Sequence, residues 1–554
     1  MAEEAPLTPV EGIKARSNFL RGSIVESLAD GTTGALADDD TQLSKFHGFY
    51  QQDDRDIRAE RSRQKLEPAH SFMIRVRVPG GIATPDQWLE MDRLAREHAN
   101  QSIRLTTRQA FQFHGVIKRD LKPTIAAINK SLLDTIAACG DVNRNVMCTP
   151  IAERSSLHAA AYATAESLSA HLTPNTSAYH EIWLDKQRVA GGENVTQDAE
   201  PIYGATYLPR KFKIGIAIPP SNDVDVFSQD LGFIAIQQDG KLAGFNVTVG
   251  GGMGRHHGEP DTYPRVADSI GFCTPEQVNQ VAEQVVKIQR DFGDRSNRKH
   301  ARLKYTIDDR GLDWFRSELA GRLGHELQPA SPYRFLSRGD ELGWTKDQSG
   351  MWHLTLFIPQ GRVSDDGELQ LMTALAAIAK VHEGTFRLTA NQNVVISSVA
   401  TNRKKSIEKL LQTHGVSPSE NLSPLRRQAL ACVALPTCAL AMAEAERYLP
   451  EITTRVETLL EKYDLLNEEI SLRITGCPNG CARPYLAEIA LVGKAPGHYS
   501  LFLGGDALGT RLNKLVDENA NESQVLKTLE QHFSAFARNR IAGQSFGDFV
   551  MERI

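Results

Sequence analysis

IRLTTRQAFQFHG (103–115) and FRLTANQNVVISS (386–398) read as two versions of one strand, placing Arg104 opposite Arg387, 283 positions apart. Their surroundings repeat as well. Phe72 to Val78 alternates apolar and basic residues as a half-buried strand does, and Trp352 to Ile358 is its counterpart; Pro79 and Pro359 end these strands, 280 apart. Thr84 followed by Pro85 signals a helix start, with Trp88, Leu89, Met91, Leu94 and Ala95 on one face, and Glu368 to Val381 is the matching helix. After the repeated strand comes a second helix, Pro123 to Ala137 in one copy and Lys404 to His414 in the other. Each unit therefore reads strand–helix–strand–helix. Cys148 and Cys432 follow the second helices, 284 apart, and Gly-rich strand ends, FNVTVGGGMG (245–254) and YSLFLGGDALG (499–509), fall near the ends of the two copies. Offsets that agree so closely mark an internal duplication into two pseudo-symmetric halves. A cofactor is expected at the axis between them, since sites favour domain junctions.

Composition sets the outer limits. The chain has 554 residues, 41% hydrophobic and 24% charged, the mix of a soluble globular protein of several domains. Its net charge of −5 gives no bulk attraction to nucleic acid or acidic membranes, so an anion site must be a local cluster of basic residues. No apolar run reaches the roughly 18 residues that span a bilayer, and the start, MAEEAPLTPVEG, is acidic and lacks a signal peptide's apolar core. The expected location is cytoplasmic. Residues 1–70 are polar and hold too little apolar material for a core of their own; they read as an arm that packs on the rest or on a partner.

Seven cysteines in such a compartment point to metal or catalysis rather than disulfides. Cys432, Cys438, Cys477 and Cys481 form C-x5-C, then 38 residues, then C-x3-C. Structural zinc sites use tighter pairs, two to four apart. Four thiolates from two separated segments suit a cubane iron–sulfur cluster, and Gly476, Pro478, Asn479 and Gly480 form a turn whose N–H groups could face sulfur. Cys139, Cys148 and Cys273 read as core residues. The run Gly250 to Gly254 reads as a turn at a sheet end, and neither G-x-G-x-x-G nor a Walker motif is present. Electrons must then come from another protein or domain.

Basic residues sit inside strand-like segments: Arg75 and Arg77, Arg104 and Arg108, Arg144, and Arg210, Lys211 and Lys213 in LPRKFK. Residues two apart on a strand share a face, so Lys211 and Lys213 project together, which is costly unless an anion lies between them. Several such groups in an acidic chain imply a concentrated anion pocket.

With C-x5-C…TGCPNGC and the duplicated [IF]RLTxxQ, the chain resembles the siroheme-dependent sulfite and nitrite reductases. The likeness extends through FHGFYQQDDRDIRAER (46–61), RVPGG, NRNVMC, YLPRKFK and the C-terminal FGDF. The resemblance implies an α+β fold, internally duplicated, with pseudo-twofold ferredoxin-like halves and two α/β cofactor-binding domains around a central siroheme. The divisions expected are 1–70 (arm, partner docking), 71–137 (first ferredoxin-like half), 138–340 (siroheme and anion binding), 341–417 (second half) and 418–554 (cluster and siroheme). It further implies a [4Fe–4S] cluster on Cys432, Cys438, Cys477 and Cys481, with Cys481 bridging to the siroheme iron. Arg104, Thr106, Arg108, Gln112, Gln392 and Asn479 are implied around the macrocycle, whose eight carboxylates account for much of the basic cluster. The family often has Asn where Thr107 stands. Arg75, Arg144, Lys211 and Lys213 map onto the side chains that bind the oxyanion.

The implied reaction is the six-electron reduction of sulfite to sulfide, in assimilation toward cysteine. The implied partner is an NADPH-oxidising flavoprotein subunit carrying FMN and FAD, docked through the N-terminal arm. Two relatives of this reading stand beside it: nitrite reduction to ammonia with the same cofactors, and a ferredoxin-fed sulfite reductase. Lys213 discriminates the first, since the nitrite enzymes typically carry Asn there. A non-enzymatic iron–sulfur carrier is a third possibility, but it would need neither the pocket nor the duplication.

Overall fold

The computed structural model describes residues 6–185, 200–417 and 419–554. Four five-stranded sheets form two matched pairs. In the first pair, one sheet runs Phe49–Asp53, His70–Val76, Phe111–Val116, Ile103–Leu105, Arg362–Val363. Its mate runs Gly343–Lys346, Trp352–Leu356, Val394–Val399, Thr385–Leu388, Ile82–Ala83. Each half thus lends its partner the last strand. Arg362 pairs with Arg104, and Ile82 with Arg387. The second pair also shares one topology. Met147–Cys148, Ile214–Ala217, Leu231–Gln238, Lys241–Val249 and Asp268–Cys273 match Leu430–Ala431, Leu472–Thr475, Ile489–Ala495, His498–Leu503 and Lys514–Asn521. In both sheets, two parallel pairings precede two antiparallel ones. The fold is α+β and duplicated throughout.

The helix Pro85–His98 begins where Thr84 and Gln87 form a capping box, with proline in the first turn. It buries Trp88, which stacks on Phe386 of the other half with ring centroids 4.6 Å apart. One core therefore runs across the axis. A second core lies between the helices and sheet of the C-terminal segment.

Four elements differ from the sequence reading. Each repeated stretch read as one strand is two, folded back on each other: Ile103–Leu105 with Phe111–Val116, and Thr385–Leu388 with Val394–Val399. The reversals pass through Gln109 and Gln392, both left-handed with φ of 50° and 69°. Buried carbonyl acceptors hold their amides: Gln109 Nε2 donates to Cys148 O (2.7 Å) and Leu388 O (2.9 Å), and Gln392 Nε2 to Ala431 O (3.1 Å). The helix expected over 123–137 is Lys118–Lys130, with Pro123 inside it; Leu132, at φ 64°, turns the chain away. The helix expected over 368–381 is Leu371–Ala379, because Asp365–Asp366 and Leu369–Gln370 pair as a small hairpin.

Residues 6–70 have no separate core. Leu20, Ile24, Leu43 and Phe46 enter the large one, and Phe49–Asp53 pairs along His70–Val76. Among the described residues no helix is long and apolar enough to cross a membrane.

One buried carboxylate fastens the two halves. Asp225 accepts from Arg338 Nε (2.7 Å), Arg473 NH1 (2.7 Å) and Arg483 Nε (2.5 Å). Burial would raise its pKa, but the three guanidinium groups hold it far below the ordinary carboxylate range. Asp225→Asn leaves buried cations without a counter-charge. Urea unfolding should show a loss of about 3–5 kcal/mol, and a change under about 1 kcal/mol would contradict this role.

Candidate active site

Cys432 follows the strand Leu430–Ala431, and its N–H donates to Ile474 O (3.2 Å) on the neighbouring strand. Cys477 and Cys481 lie on the loop beyond that neighbour. Gly476 O accepts from Met442 N (2.7 Å) and Ala443 N (3.1 Å), which locks the loop after Cys438 to the C-x3-C loop. Gly476 N donates to Cys432 Sγ at 3.3 Å, and Asn479 Nδ2 lies 3.6 Å from Cys477 Sγ. Gly480 is left-handed (φ 64°), and a Cβ there would fall 2.7 Å from Met253 O. The bare Cα of Gly480 is thus what lets the strand end at 250–254 approach the cysteine turn; Arg255 N also donates to Pro478 O (3.0 Å).

The four thiols act on one another. Burial, then the charges of Cys481 and Cys477, push Cys432 well above its ordinary pKa. Burial and Cys481 push Cys477 up to about 12 and also raise Cys438. Four thiolates so placed need a cationic centre to ionise together. Among the described residues, no three His, Cys, Asp or Glu side chains converge on one ion-sized position. Four thiol donors, brought together from two loops by the Gly476 contacts, are nonetheless the ligand chemistry of an iron–sulfur cluster.

Arg104 and Gln392 both hold the carbonyl just before Cys432: Arg104 NH2 donates to Ala431 O (2.8 Å), and its other nitrogen pairs with Glu446. Thr106 Oγ1 accepts from Arg108 N (3.3 Å). Arg108 donates to Gln229 Oε1 (2.9 Å) and Ile214 O (3.1 Å), its Nε has no partner, and burial, then Arg144, bring it down to about 9. Gln112 Oε1 accepts from Arg75 NH2 (2.9 Å) and Nε (3.2 Å).

Arg75 and Arg144 share one acceptor, Ala138 O (3.5 and 3.3 Å), and Arg75 NH1 also donates to Cys139 Sγ (3.0 Å). Cys139 is buried, as are Cys148 and Cys273, yet it faces this group. Lys211 and Lys213 flank buried Phe212, whose backbone pairs with Val142 and Arg144. Among the described residues neither amino group has a hydrogen-bond or ion-pair partner. Burial, then Arg210 and Arg302, bring Lys211 down to about 7; burial, then Arg108 and Lys211, hold Lys213 well below its ordinary value. The nearby acids are already taken, Asp230 by Arg302 and Asp141 by Arg298. This is a cation cluster short of anions, as a polycarboxylate macrocycle and an oxyanion require.

Cys481 stands where the two groups meet. Its charge acts on Cys432, Cys438 and Cys477, and also on Arg75, Lys211 and Lys213. It is exposed, and its carbonyl accepts from Thr107 Oγ1 (3.0 Å). Sequence reasoning missed Arg483. Its NH1 donates to Thr107 O (3.0 Å) and its NH2 to Ala390 O (2.9 Å), equivalent carbonyls of the two repeats. An arginine two residues past Cys481 was the available signal. Lys304 was also missed. It is brought down to about 6 by burial, then Arg302, and lies on a helix where no alternation flagged it.

Comparison with known proteins decides the kinship. A profile described as the ferredoxin-like half domain of nitrite/sulfite reductases matches twice, at 64–131 and 345–414. The profile for the nitrite and sulphite reductase 4Fe-4S domain matches residues 163–327. A Myxococcus xanthus protein named sulfite reductase [NADPH] hemoprotein beta-component is 60% identical, covering 99% of this chain and 96% of that one. The chain belongs to the nitrite and sulfite reductase family. Another member, the Oceanobacillus iheyensis protein of the same name, is 57% identical over 99% and 95% of the two chains. The solved NirA protein of Mycobacterium tuberculosis shares the family fold, with a TM-score of 0.80, 23% identity and coverage of 100% and 97%. Within this family chain, the 4Fe-4S profile falls on the first copy, whereas the C-x5-C and C-x3-C pairs lie in the second.

Proposed function

We propose that this chain is the haemoprotein component of an assimilatory sulfite reductase, converting sulfite to sulfide with six electrons that an FMN- and FAD-bearing flavoprotein draws from NADPH in the cytoplasm. The observation that carries the reading is Cys481, which shares the C-x3-C loop with Cys477 and whose carbonyl is held by Thr107 of the first repeat, where charge on it acts on the other three cysteines and on Arg75, Lys211 and Lys213. When bound, a siroheme coupled to a [4Fe–4S] cluster would supply the iron site and relay the electrons to it. Cys432, Cys438, Cys477 and Cys481 would hold the cluster, while Arg108 and the cations beside it would meet the macrocycle's carboxylates. Arg75, Arg144, Lys211 and Lys213 draw in the oxyanion and stabilise charge on its departing oxygens. Lys211, with its pKa near 7, can hold or give a proton at neutral pH, and each S–O cleavage consumes protons. The test is chemical analysis of the purified chain. About four iron and four acid-labile sulfide per chain, with extractable siroheme, are expected for one cubane and one haem, apart from the haem iron itself. Cluster without haem would contradict the proposal.

The pocket also predicts proton-linked anion binding in the cofactor-free chain. Lys211 faces Arg210, Arg302, Arg144, Lys213 and Cys481, and its charged form is scarce above pH 7. Sulfite must then carry a proton in with it. Calorimetry in two buffers of different ionisation enthalpy should show proton uptake above pH 7, with affinity falling up to about tenfold per pH unit. Binding independent of pH from 6 to 9 would contradict this.

A further inference from the structure

The N-terminal segment reaches the cysteine loop through one side chain. Arg55 NH1 donates to Ala441 O at 2.5 Å and to Cys438 O at 3.3 Å, and its own backbone N–H donates to Pro436 O at 3.3 Å. The arginine therefore spans the loop on both sides of Cys438. Its neighbours hold it there: Asp56 accepts from Arg447 NH1 (2.7 Å), beyond the loop, and Asp53 pairs with Arg58 (2.6 Å). Gln52 Oε1 and Thr437 Oγ1 both lie near His114 Nδ1, at 3.3 and 3.5 Å. A half-buried guanidinium thus lies against two backbone carbonyls of the loop that carries one of the four cysteines, from a segment more than 380 residues earlier.

We infer that Arg55 is a positioning residue for the cluster, fixing the Cys438 loop and placing a permanent positive charge beside it that favours the reduced cluster. This rests on the cluster reading above. A fixed cation stabilises whichever redox state carries more negative charge, and for an iron–sulfur cluster that is the reduced one. Charge and hydrogen bonding near the sulfurs are the levers by which a protein sets such a potential. The exposed residues that follow, Asp56 and Ile57, put this lever on the outer surface, where a docking partner that displaced Arg55 would change the cluster's readiness to accept an electron.

The test compares the purified holo chain with Arg55→Gln, Arg55→Lys and Arg55→Ala, by iron and sulfide content and by an EPR-monitored redox titration. Arg55→Gln keeps a donor but loses the charge. It should hold a full cluster whose reduced-to-oxidised ratio at a given potential falls about tenfold, a shift of about 59 mV to lower potential for one electron. Arg55→Lys should restore most of that shift, and Arg55→Ala should in addition lose iron faster to a chelator. A potential unchanged in both Arg55→Gln and Arg55→Ala, with wild-type iron content, overturns the inference. A wild-type chain without cluster iron instead overturns the reading beneath it.

Discussion

Cys481→Ser should leave a chain that folds normally and reduces sulfite at least about a thousandfold more slowly, some 4 kcal/mol in barrier. The two halves of that expectation have separate causes. Cys481 is exposed, its sulfur has no hydrogen-bond partner among the described residues, and only its carbonyl is fastened, by Thr107. Serine keeps that carbonyl, so the unfolding free energy should move by less than about 0.5 kcal/mol. Function is another matter, because Cys481 lies within the electrostatic reach of both the cysteine group and the cation pocket. A hard hydroxyl is a poor replacement for a soft thiolate toward iron–sulfur centres. Paired unfolding curves and methyl-viologen-driven rates would check it. Activity within tenfold of wild type would show that Cys481 does not join the two sites.

Lys213→Asn should lower kcat/KM for sulfite by about a hundredfold, the size of effect seen when one preorganised charge-stabilising donor is removed, while nitrite turnover falls much less. Lys213 sits beside Arg108 and Lys211 with no acid to balance it, and burial already resists its charge. The free energy stored there is available to an anion that arrives. The same reasoning sets a second sign: the cofactor-free Lys213→Asn chain should be more stable than wild type, by about 1 kcal/mol, as strained functional sites often are when relieved. Equal losses for sulfite and nitrite would remove Lys213 as the discriminating residue.

Much of the architecture was legible because duplication writes itself twice. Arg104 with Arg387, Pro79 with Pro359, and Cys148 with Cys432 mark the two halves in the sequence itself, and the Thr84–Pro85–Gln87 cap is a local signal with a local cause. The hairpin inside each repeat was not legible. Gln109 and Gln392 turn left-handed because distant carbonyls hold their amides, and no composition rule marks glutamine for that. The exchanged strands, Ile82–Ala83 and Arg362–Val363, are too short to leave a periodic trace. At the site, Lys211 and Lys213 stood out by spacing. Arg483 and Arg55 did not, because each works through backbone carbonyls far away in the chain, and such convergence exists only once the halves have packed.

The central claim is that this pocket was built to reduce sulfite. Steady-state reduction of sulfite and of nitrite by the purified holo chain, driven by reduced methyl viologen, tests it without the flavoprotein. A higher kcat/KM for sulfite is expected, with six electrons consumed for each sulfide released. A preference for nitrite, or no turnover of either by a chain carrying its full siroheme and cluster, would contradict it.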